Sequence, residues 1–357
     1  MDHIVIEVND KTKIYFAVPA NARTAGPELI HQIVSYFRKR FNFDAFIYPI
    51  PVDHPTPVPK DFEFYNNPVS YSIEDNKNNI LIVPEIYLTV QVLKKFKNIR
   101  KVIWWLSIDN YLINRFMMQK RFFYLLLRMV NKLFEKFGKT SIIDTNEIAL
   151  DYYKNYNFSE DDLIKQALVN LCSAKHVENY LGSVGLNNVI YISELLNEDF
   201  LKIETDTSLK ENIIAYNPAK GVGFTRRIIE SAKHLNFVPI QNMSRTEVIK
   251  QLQKAKVYID FGNHPGRDRL PREAASLKCC VITNRRGGAR LKEDMTIPED
   301  YKFDSIEDNI PLIVKKIEDC LNNYNEAIAN FEEYRKSIRE EPARFLEDAG
   351  KVFCKVI

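Results

Sequence analysis

Short apolar runs alternate with longer helical patterns along most of this 357-residue chain, and the alternation limits the folds open to it. In the first half the runs are β-branched and aromatic, and they stand at 13–20, 43–50, 79–85 and 101–107. After the first run, apolar residues recur at helical spacing between Leu29 and Phe37, which indicates a helix. Such alternation predicts a mostly parallel sheet covered by helices.

A second series of the same kind begins near residue 211. Its apolar runs stand at 212–218, 236–240, 256–262 and 279–283, with helical patterns between them. This predicts a second Rossmann-like unit, separated from the first by a polar hinge at 201–211. The expected domains are therefore 1–200 and 212–330, followed by C-terminal helices over 331–357. In open sheets of this kind ligands bind beyond the carboxyl ends of the strands, so we expect a site in a cleft between two facing units.

Composition excludes several other classes of protein. The chain is 45% hydrophobic and 27% charged, which excludes disordered and collagen-like chains. With 50 basic and 47 acidic residues the net charge is only +3, so a nucleic-acid partner is not expected. The five cysteines show no CxxC spacing, which indicates reduced, buried thiols and no zinc site. No basic leader and no apolar run of about 18 residues is seen. We therefore expect a cytoplasmic protein, or one on the inner face of the plasma membrane.

The densest motif follows the apolar run at 256–262. It contains His264 and three arginines, Arg267, Arg269 and Arg272, just before a predicted helix. Guanidinium groups beside a helix N-terminus suit a diphosphate, because their planar forks match phosphate oxygens and the helix dipole adds to them. Glu273 can bind ribose hydroxyls, or it can simply lie where the helix dipole favours an acid. His264 can bind a donor phosphate or sugar, or be structural.

Three further loops stand at the expected carboxyl ends of strands. Thr24–Glu28 can offer backbone N–H groups to an anion or a sugar hydroxyl, or can serve only as a tight turn. Asn217–Gly221 carries Lys220, which can reach a phosphate or can be a solvated lysine at a helix start. Asn284–Ala289 adds two arginines and two glycines, in either a ligand loop or a solvated turn.

Together these segments resemble a group of bacterial glycosyltransferases with the GT-B fold, found in capsule, O-antigen and related polysaccharide clusters. The resemblance covers most of residues 13–304, and the block YIDFGNHPGRDRLPREAA is its most specific part. The other segments are TAGPELIHQ, IVPE, WWLSIDN, YISELLNEDF, NPAKG, PIQNMS and CCVITNRRGGA. It implies an α/β GT-B fold with a nucleotide sugar held by the C-terminal domain and a saccharide acceptor, often polyprenyl-linked, held by the N-terminal one. It implies no metal-binding DxD motif and no cofactor beyond the nucleotide-sugar co-substrate.

The resemblance also implies roles for particular residues. The donor-binding residues are Asn217, Lys220, His264, Arg267, Arg269, Glu273, Gly287 and Gly288. The acceptor-binding residues are Thr24, Gly26, Trp105 and Asn110. A catalytic base is expected among Asp109, Glu85 and Glu28, with Asp109 preferred.

The chain departs from the family pattern at two positions, and the second departure leaves the stereochemistry open. Ala25 stands where the first of two loop glycines is usual. Pro265 stands eight positions before Glu273, where many retaining enzymes have a second glutamate. Two other functions remain open as well. A nucleotide-sugar epimerase would convert the donor without an acceptor, and a two-lobed binding protein would bind it without turnover.

A basic amphipathic helix is predicted over 121–139. Its basic residues fall within an arc of roughly 80° at 100° per residue, with apolar residues opposite. The basic residues are Arg121, Arg128, Lys132, Lys136 and Lys139, and the apolar ones are Phe123, Leu126, Val130, Leu133, Phe134 and Phe137. Such a helix can pack its apolar face into its own domain, or it can bind an anionic membrane surface.

Overall fold

The chain forms two units, each built on a parallel sheet. A computed structural model describes residues 4–136 and 144–356. The first unit contains Met1–Ser173, Val177–Ile192 and Asp348–Ile357, and the second contains Ala174–His176 and Ser193–Glu347. Residues 348–357 therefore group with the first unit although they follow the second in sequence.

The first unit has a six-stranded sheet in which all neighbouring strands are parallel. Its strands are β2 (Lys13–Pro19), β3 (Asp44–Ile50), β4 (Ile80–Pro84), β5 (Arg100–Trp105), β6 (Val169–Cys172) and β7 (Val189–Tyr191), in the order β3-β2-β4-β5-β6-β7. A separate parallel pair joins β1 (Ile6–Val8) to β13 (Phe353–Lys355). The apolar runs form these strands because both faces of a parallel sheet are covered by helices.

Helices surround this first sheet. They are α1 (Ala25–Arg40), α2 (Tyr87–Val90), α3 (Asp109–Gln119), α4 (Arg121–Lys136), α5 (Thr145–Tyr152), α6 (Asp162–Lys165) and α7 (Lys175–Ser183), the last of which begins in residues of the second unit. In α1, Glu28 lies in the first turn, and three basic residues lie in the last turn. Charges placed in this way stabilise the helix dipole.

The second unit has a five-stranded parallel sheet in the order β12-β11-β10-β8-β9. The strands are β8 (Glu211–Tyr216), β9 (Asn236–Pro239), β10 (Ala255–Asp260), β11 (Cys280–Asn284) and β12 (Lys302–Phe303). The helices are α8 (Glu198–Lys202), α9 (Val222–Ser231), α10 (Arg245–Lys254), α11 (Arg269–Ser276), α12 (Ile310–Asn322), α13 (Tyr324–Ala329), α14 (Glu332–Arg339) and α15 (Glu341–Val352), the last of which ends in residues of the first unit. Ser244 and Glu247 form a capping box that fixes the start of α10.

The two series of strands and helices expected from the sequence are confirmed. The strands expected at 13–20, 43–50 and 79–85 are observed at Lys13–Pro19, Asp44–Ile50 and Ile80–Pro84. The polar segment 201–211, expected to be a hinge, lies inside the second unit. It is held there because Phe200 is buried in the core of that unit and Lys278 donates a hydrogen bond to the Thr205 carbonyl.

None of the five cysteines, all of which lie within the described residues, forms a disulfide, and four of them are buried. Within residues 4–136 and 144–356, no helix is both long enough and apolar enough to cross a membrane.

Candidate functional site

Three loops of the second unit meet at the carboxyl ends of β8, β10 and β11. A Cβ added at Gly262 would lie 2.3 Å from the Cβ of Lys220, so the loops after β8 and β10 are in direct contact. The side chain of Asn284 donates a hydrogen bond to the Gly262 carbonyl at 2.7 Å. The Gly288 N–H donates to the His264 carbonyl at 2.7 Å. The three sequence motifs of this half of the chain therefore form one site, at the edge where parallel sheets bind ligands.

Two glycines allow this close approach. Gly221 has φ +57°, and a Cβ there would lie 2.2 Å from the Phe261 carbonyl oxygen. Gly287 has φ +55°, and a Cβ there would lie 2.0 Å from the His264 carbonyl oxygen. Both positions combine a left-handed backbone with backbone contact, so no side chain fits them. Because the Gly288 N–H already bonds His264, it shapes the loop rather than offering a donor to a ligand.

Asp268 joins two of the predicted donor-binding residues. Its carboxylate oxygens lie 2.8 and 2.9 Å from the Lys220 ammonium and 2.8 Å from His264 Nδ1. Burial by itself would raise the pKa of Asp268, but its contacts with His264 and Lys220 lower this pKa to about 2. Asp268 is therefore an anion that holds two basic side chains side by side.

Asp260, at the end of β10, connects the loops that follow β8 and β10. It accepts hydrogen bonds from the Gly262 N–H and the Tyr258 hydroxyl, both at 3.0 Å, and from the Asn217 side chain at 3.4 Å. The other end of the Asn217 amide accepts from the Ala219 N–H at 3.0 Å. Asn217 thus shapes the loop that carries Lys220.

The side chains of Asp260, His264 and Asp268 offer ligand atoms within 4.8 Å of one another, a geometry that suits a cation. The Lys220 ammonium contacts both oxygens of Asp268, however, so it provides positive charge at this position.

Arg267 and Arg272 face buried carboxylates. Arg267 Nη2 lies 2.9 Å from Glu341 Oε1, and Arg272 Nη1 lies 2.9 Å from Glu341 Oε2. Arg272 also donates to Glu194 and is 1% exposed. Burial opposes ionisation of Arg272, but Glu194 and Glu341 raise its pKa above the ordinary value. These four residues form a buried ion network, and Arg267 belongs to it instead of facing solvent.

Arg269 and Glu273 bind each other across one turn of α11. Arg269 donates to Glu273 Oε1 from Nη2 at 2.9 Å and from Nε at 3.1 Å. Their side chains are 19% and 6% exposed. The residues expected to bind phosphate and ribose are therefore paired with each other, and a ligand has to share or replace this pair.

In the first unit, the predicted residues lie at the carboxyl ends of neighbouring strands. Glu85 follows β4 and is 1% exposed. It accepts hydrogen bonds from the Asn110 side chain at 2.8 Å and from the Leu106 N–H at 3.1 Å. Glu28 is also buried, and it accepts from the Tyr65 hydroxyl at 3.3 Å. Glu85 therefore ties the loop after β5 to β4.

The remaining first-unit candidates differ in accessibility. Thr24 is exposed before α1, and Asp109 is half-buried at the first turn of α3. A Cβ at Gly26 would lie 3.5 Å from Leu106 Cδ1, so the α1 start approaches the loop after β5. Trp105, expected to bind the acceptor, is fully buried and donates its indole N–H to Asn170 at 2.8 Å. The structure places Trp105 in the core, because β5 is a central strand covered on both faces.

Four acidic residues of these clusters were not predicted, namely Asp260, Asp268, Glu194 and Glu341. Asp268 could have been noticed, because an aspartate directly before a helix start after a strand is a common N-cap. Glu194 and Glu341 carry no local signal. Their arginine partner Arg272 lies 78 and 69 residues away in sequence.

No protein-family model and no curated protein matches this sequence. Solved structures do match it. HepE from Anabaena, in complex with UDP-glucose, is 10% identical with a TM-score of 0.57, over 94% of this chain and 98% of that chain. Sucrose-phosphate synthase from Thermosynechococcus elongatus is 12% identical with a TM-score of 0.60, over 94% and 97%. TarM from S. aureus is 13% identical with a TM-score of 0.48, and this chain spans only 55% of it.

HepE and sucrose-phosphate synthase are GT-B glycosyltransferases. At 10% and 12% identity, the likeness to them bears on the fold alone. The α/β fold with two Rossmann-like units, expected from the sequence, is confirmed, and the chain has the GT-B fold.

Proposed function

We propose that this chain transfers a glycosyl group from a nucleotide sugar to a saccharide acceptor. The observation that carries the proposal is the convergence of Lys220, His264 and the start of α11 at the carboxyl edge of the second sheet. Basic side chains beside a helix N-terminus are suited to a diphosphate. HepE, which shares the fold, was solved with UDP-glucose. Its likeness supports a nucleotide sugar as the donor.

In the proposed reaction, the bond between the sugar C1 and the diphosphate oxygen breaks while the acceptor oxygen bonds to C1. Negative charge grows on the leaving diphosphate, where Lys220 and Arg269 stabilise it. The proton of the acceptor hydroxyl passes to a carboxylate that acts as the base. Asp109 is the preferred base, because Glu85 and Glu28 are almost fully buried. We assign no metal and no cofactor to this reaction.

The first experiment is a thermal-shift panel of nucleoside diphosphates and nucleotide sugars on the wild type and Glu273→Gln. A ligand that binds only the folded state raises the melting temperature. We expect one diphosphate to stabilise the wild type, and the variant to bind it about 10- to 100-fold more weakly, because charge-assisted hydrogen bonds to ribose are lost. A 2′,3′-dideoxy diphosphate serves as the matched control, since it should bind both proteins equally.

Turnover assays with the identified donor then separate the alternative functions. Sugar transfer to an added acceptor supports the proposal. Conversion of the donor without an acceptor would instead indicate an epimerase, and binding without turnover a two-lobed binding protein. A wild type that responds to no nucleotide contradicts the donor site itself.

The exposed surface of α4 supports a membrane-bound acceptor. Its apolar residues Phe122, Met129, Leu133 and Leu126 are 84%, 58%, 57% and 42% exposed. At 100° per residue they share one strip of roughly 60°. Arg121, Arg128 and Lys132 form a second exposed strip beside it. Phe137 and Lys139, part of the predicted helix, lie outside the described residues.

Exposed apolar strips of this size mark interaction surfaces. The basic strip beside the apolar strip indicates that the surface to which α4 binds is anionic. We therefore infer that α4 lies on an anionic membrane surface, at the inner face of the plasma membrane, with its apolar strip among the lipids. This location suits a polyprenyl-linked acceptor and a role in bacterial surface polysaccharide synthesis. Of the two alternatives for this helix, packing of the apolar face into its own unit does not hold for Leu126 and Leu133, which are exposed, whereas Leu127 is buried.

Charge reversal in the basic strip tests this inference. Arg121→Glu, Arg128→Glu and Lys132→Glu together should weaken binding to phosphatidylglycerol-containing vesicles by about 100-fold or more, since each basic residue contributes about 1 kcal/mol. Vesicle sedimentation at fixed ionic strength measures the change. The matched control, Lys233→Glu with Lys250→Glu and Lys315→Glu, makes the same change in net charge at exposed lysines of the second unit.

The inference about α4 fails if the wild type does not bind anionic vesicles at moderate salt, or if both triple variants lose binding equally. A concentration-dependent dimer would give a different result. If Phe122→Ser dissociates it, the apolar strip binds a second copy of the chain instead of a membrane.

A further inference from the structure

Asp268 stands at a helix N-cap but does not cap the helix. It precedes α11 with the extended backbone of an N-cap residue, φ −60° and ψ 138°, and its side chain makes no cap hydrogen bond. An aspartate in this position ordinarily accepts hydrogen bonds from the N–H groups of the first turn, which stabilises the helix. Here the carboxylate turns to Lys220 and His264 instead. The start of α11 therefore lacks the stabilisation that a side-chain cap provides, and the Asp268 carboxylate contacts two basic groups instead.

His264 presents the second unusual feature. Its side chain is fully buried, and its Nδ1 lies 2.8 Å from an Asp268 oxygen. Its Nε2 has no hydrogen-bond partner among the described residues. Leaving a buried polar atom unpaired is costly, so such an atom at a ligand-binding edge indicates a ligand contact. The backbone beside it is fixed, because the His264 carbonyl accepts from the Gly288 N–H.

The charges facing His264 favour its protonated form. Burial disfavours the imidazolium, but the hydrogen bond and charge of Asp268 and the charge of Asp260 outweigh it, and Lys220 opposes them weakly. The pKa of His264 is therefore raised above its ordinary value. Gly287 and Gly288 approach the His264 carbonyl through backbone atoms.

We infer that Asp268 is a positioning residue that fixes Lys220 and His264 side by side, so that the Nε2–H of His264 donates a hydrogen bond to a phosphate oxygen of the bound nucleotide. The inference rests on the proposed function. An imidazole oriented at Nδ1 by a carboxylate presents its other nitrogen in a defined direction, as in catalytic triads. No proton is transferred to the phosphate in this arrangement, and the Lys220 ammonium supplies a second positive charge.

The alternative for this cluster is a divalent cation held by Asp260, His264 and Asp268. Such an ion would have to displace the Lys220 ammonium, which lies 2.8 and 2.9 Å from the two Asp268 oxygens. The oxygens of Asp260 already accept from Gly262, Tyr258 and Asn217. These contacts favour the phosphate role.

The first test does not need a nucleotide. NMR titration of the histidine ring carbons compares the wild type with Asp268→Asn. We expect the pKa of His264 to fall in the variant, because the raising charge and hydrogen bond are lost. The ring signals of His234, which is exposed and paired with Glu318, are the internal control and should not differ between the two proteins. An unchanged His264 titration in Asp268→Asn overturns the inference about Asp268.

The second test measures binding of UDP, ADP and GDP by calorimetry from pH 6 to pH 9. The protonated imidazole is the binding form, so wild-type affinity should be constant below the His264 pKa and fall above it. In Asp268→Asn the fall should begin at a lower pH. His264→Gln should bind about 10- to 100-fold more weakly, with this fall abolished. His234→Gln is the matched control with unchanged affinity.

These outcomes separate the two proposals. If no diphosphate binds the wild type, the proposed function fails while the NMR titration still tests the Asp268–His264 pair. If a diphosphate binds and His264→Gln keeps the wild-type pH dependence, the inference about His264 fails alone. Binding of Mn²⁺ to the wild type that His264→Gln abolishes would overturn the phosphate role in favour of a metal site.

Discussion

Lys220→Met is expected to lower kcat for sugar transfer by about 10²- to 10³-fold, a loss typical of removing one group that stabilises transition-state charge. The Lys220 ammonium is held at a fixed position by both oxygens of Asp268, and its side chain remains 37% exposed. It can therefore meet the charge that develops on the leaving diphosphate without reorganising. A cation that is fixed in position before the reaction stabilises the transition state, in which the charge develops, more than the ground state.

Steady-state kinetics with the identified donor and acceptor measure this effect. We expect kcat and kcat/KM to fall together, with a smaller change in KM. Lys233→Met, which removes an exposed lysine after α9, is the matched control and should leave both parameters unchanged. A variant in which only KM rises would show that Lys220 binds substrate and transition state equally, which contradicts the assigned role.

The second unit shows how much of the site could be predicted from the sequence. The runs that became β8, β10 and β11 are apolar because these strands are buried on both faces. Parallel strands bring their following loops to one edge, so the sequence alone groups the loops that carry Lys220, His264 and Gly287. Local pattern and topology together were sufficient to predict that these loops meet.

The partners of individual side chains could not be predicted in the same way. Arg267 and Arg269 follow one another closely in sequence, yet one binds Glu341 and the other binds Glu273. Which carboxylate an arginine meets depends on long-range packing, and Glu341 follows Arg267 by 74 residues. Trp105 illustrates the same limit, because its position at a strand end did not reveal that its indole points into the core.

Arg272→Met is expected to lower the free energy of unfolding of the second unit by about 3–5 kcal/mol, the usual cost of removing one partner from a buried ion pair. Arg272 is 1% exposed and forms ion pairs with the carboxylates of Glu194 and Glu341. Without it, Glu341 keeps its ion pair with Arg267, whereas Glu194 loses the guanidinium to which it is bonded. The methionine fills most of the space, so the loss comes from uncompensated charge more than from a cavity.

Denaturant unfolding followed by circular dichroism measures this loss, as a lower midpoint with an unchanged slope. The matched control is Lys292→Met, because Lys292 pairs with Glu333 and both side chains are about 70% exposed. Such a surface pair contributes about 0–1 kcal/mol.

Protonation of Glu194 can relieve the uncompensated negative charge in the variant. Burial already raises the pKa of Glu194 in the wild type, despite the charges of Arg272 and Arg267. The variant should therefore recover part of its stability as the pH falls and Glu194 becomes neutral. Equal midpoints for Arg272→Met and Lys292→Met would show that the four buried charges contribute no more to stability than an exposed pair.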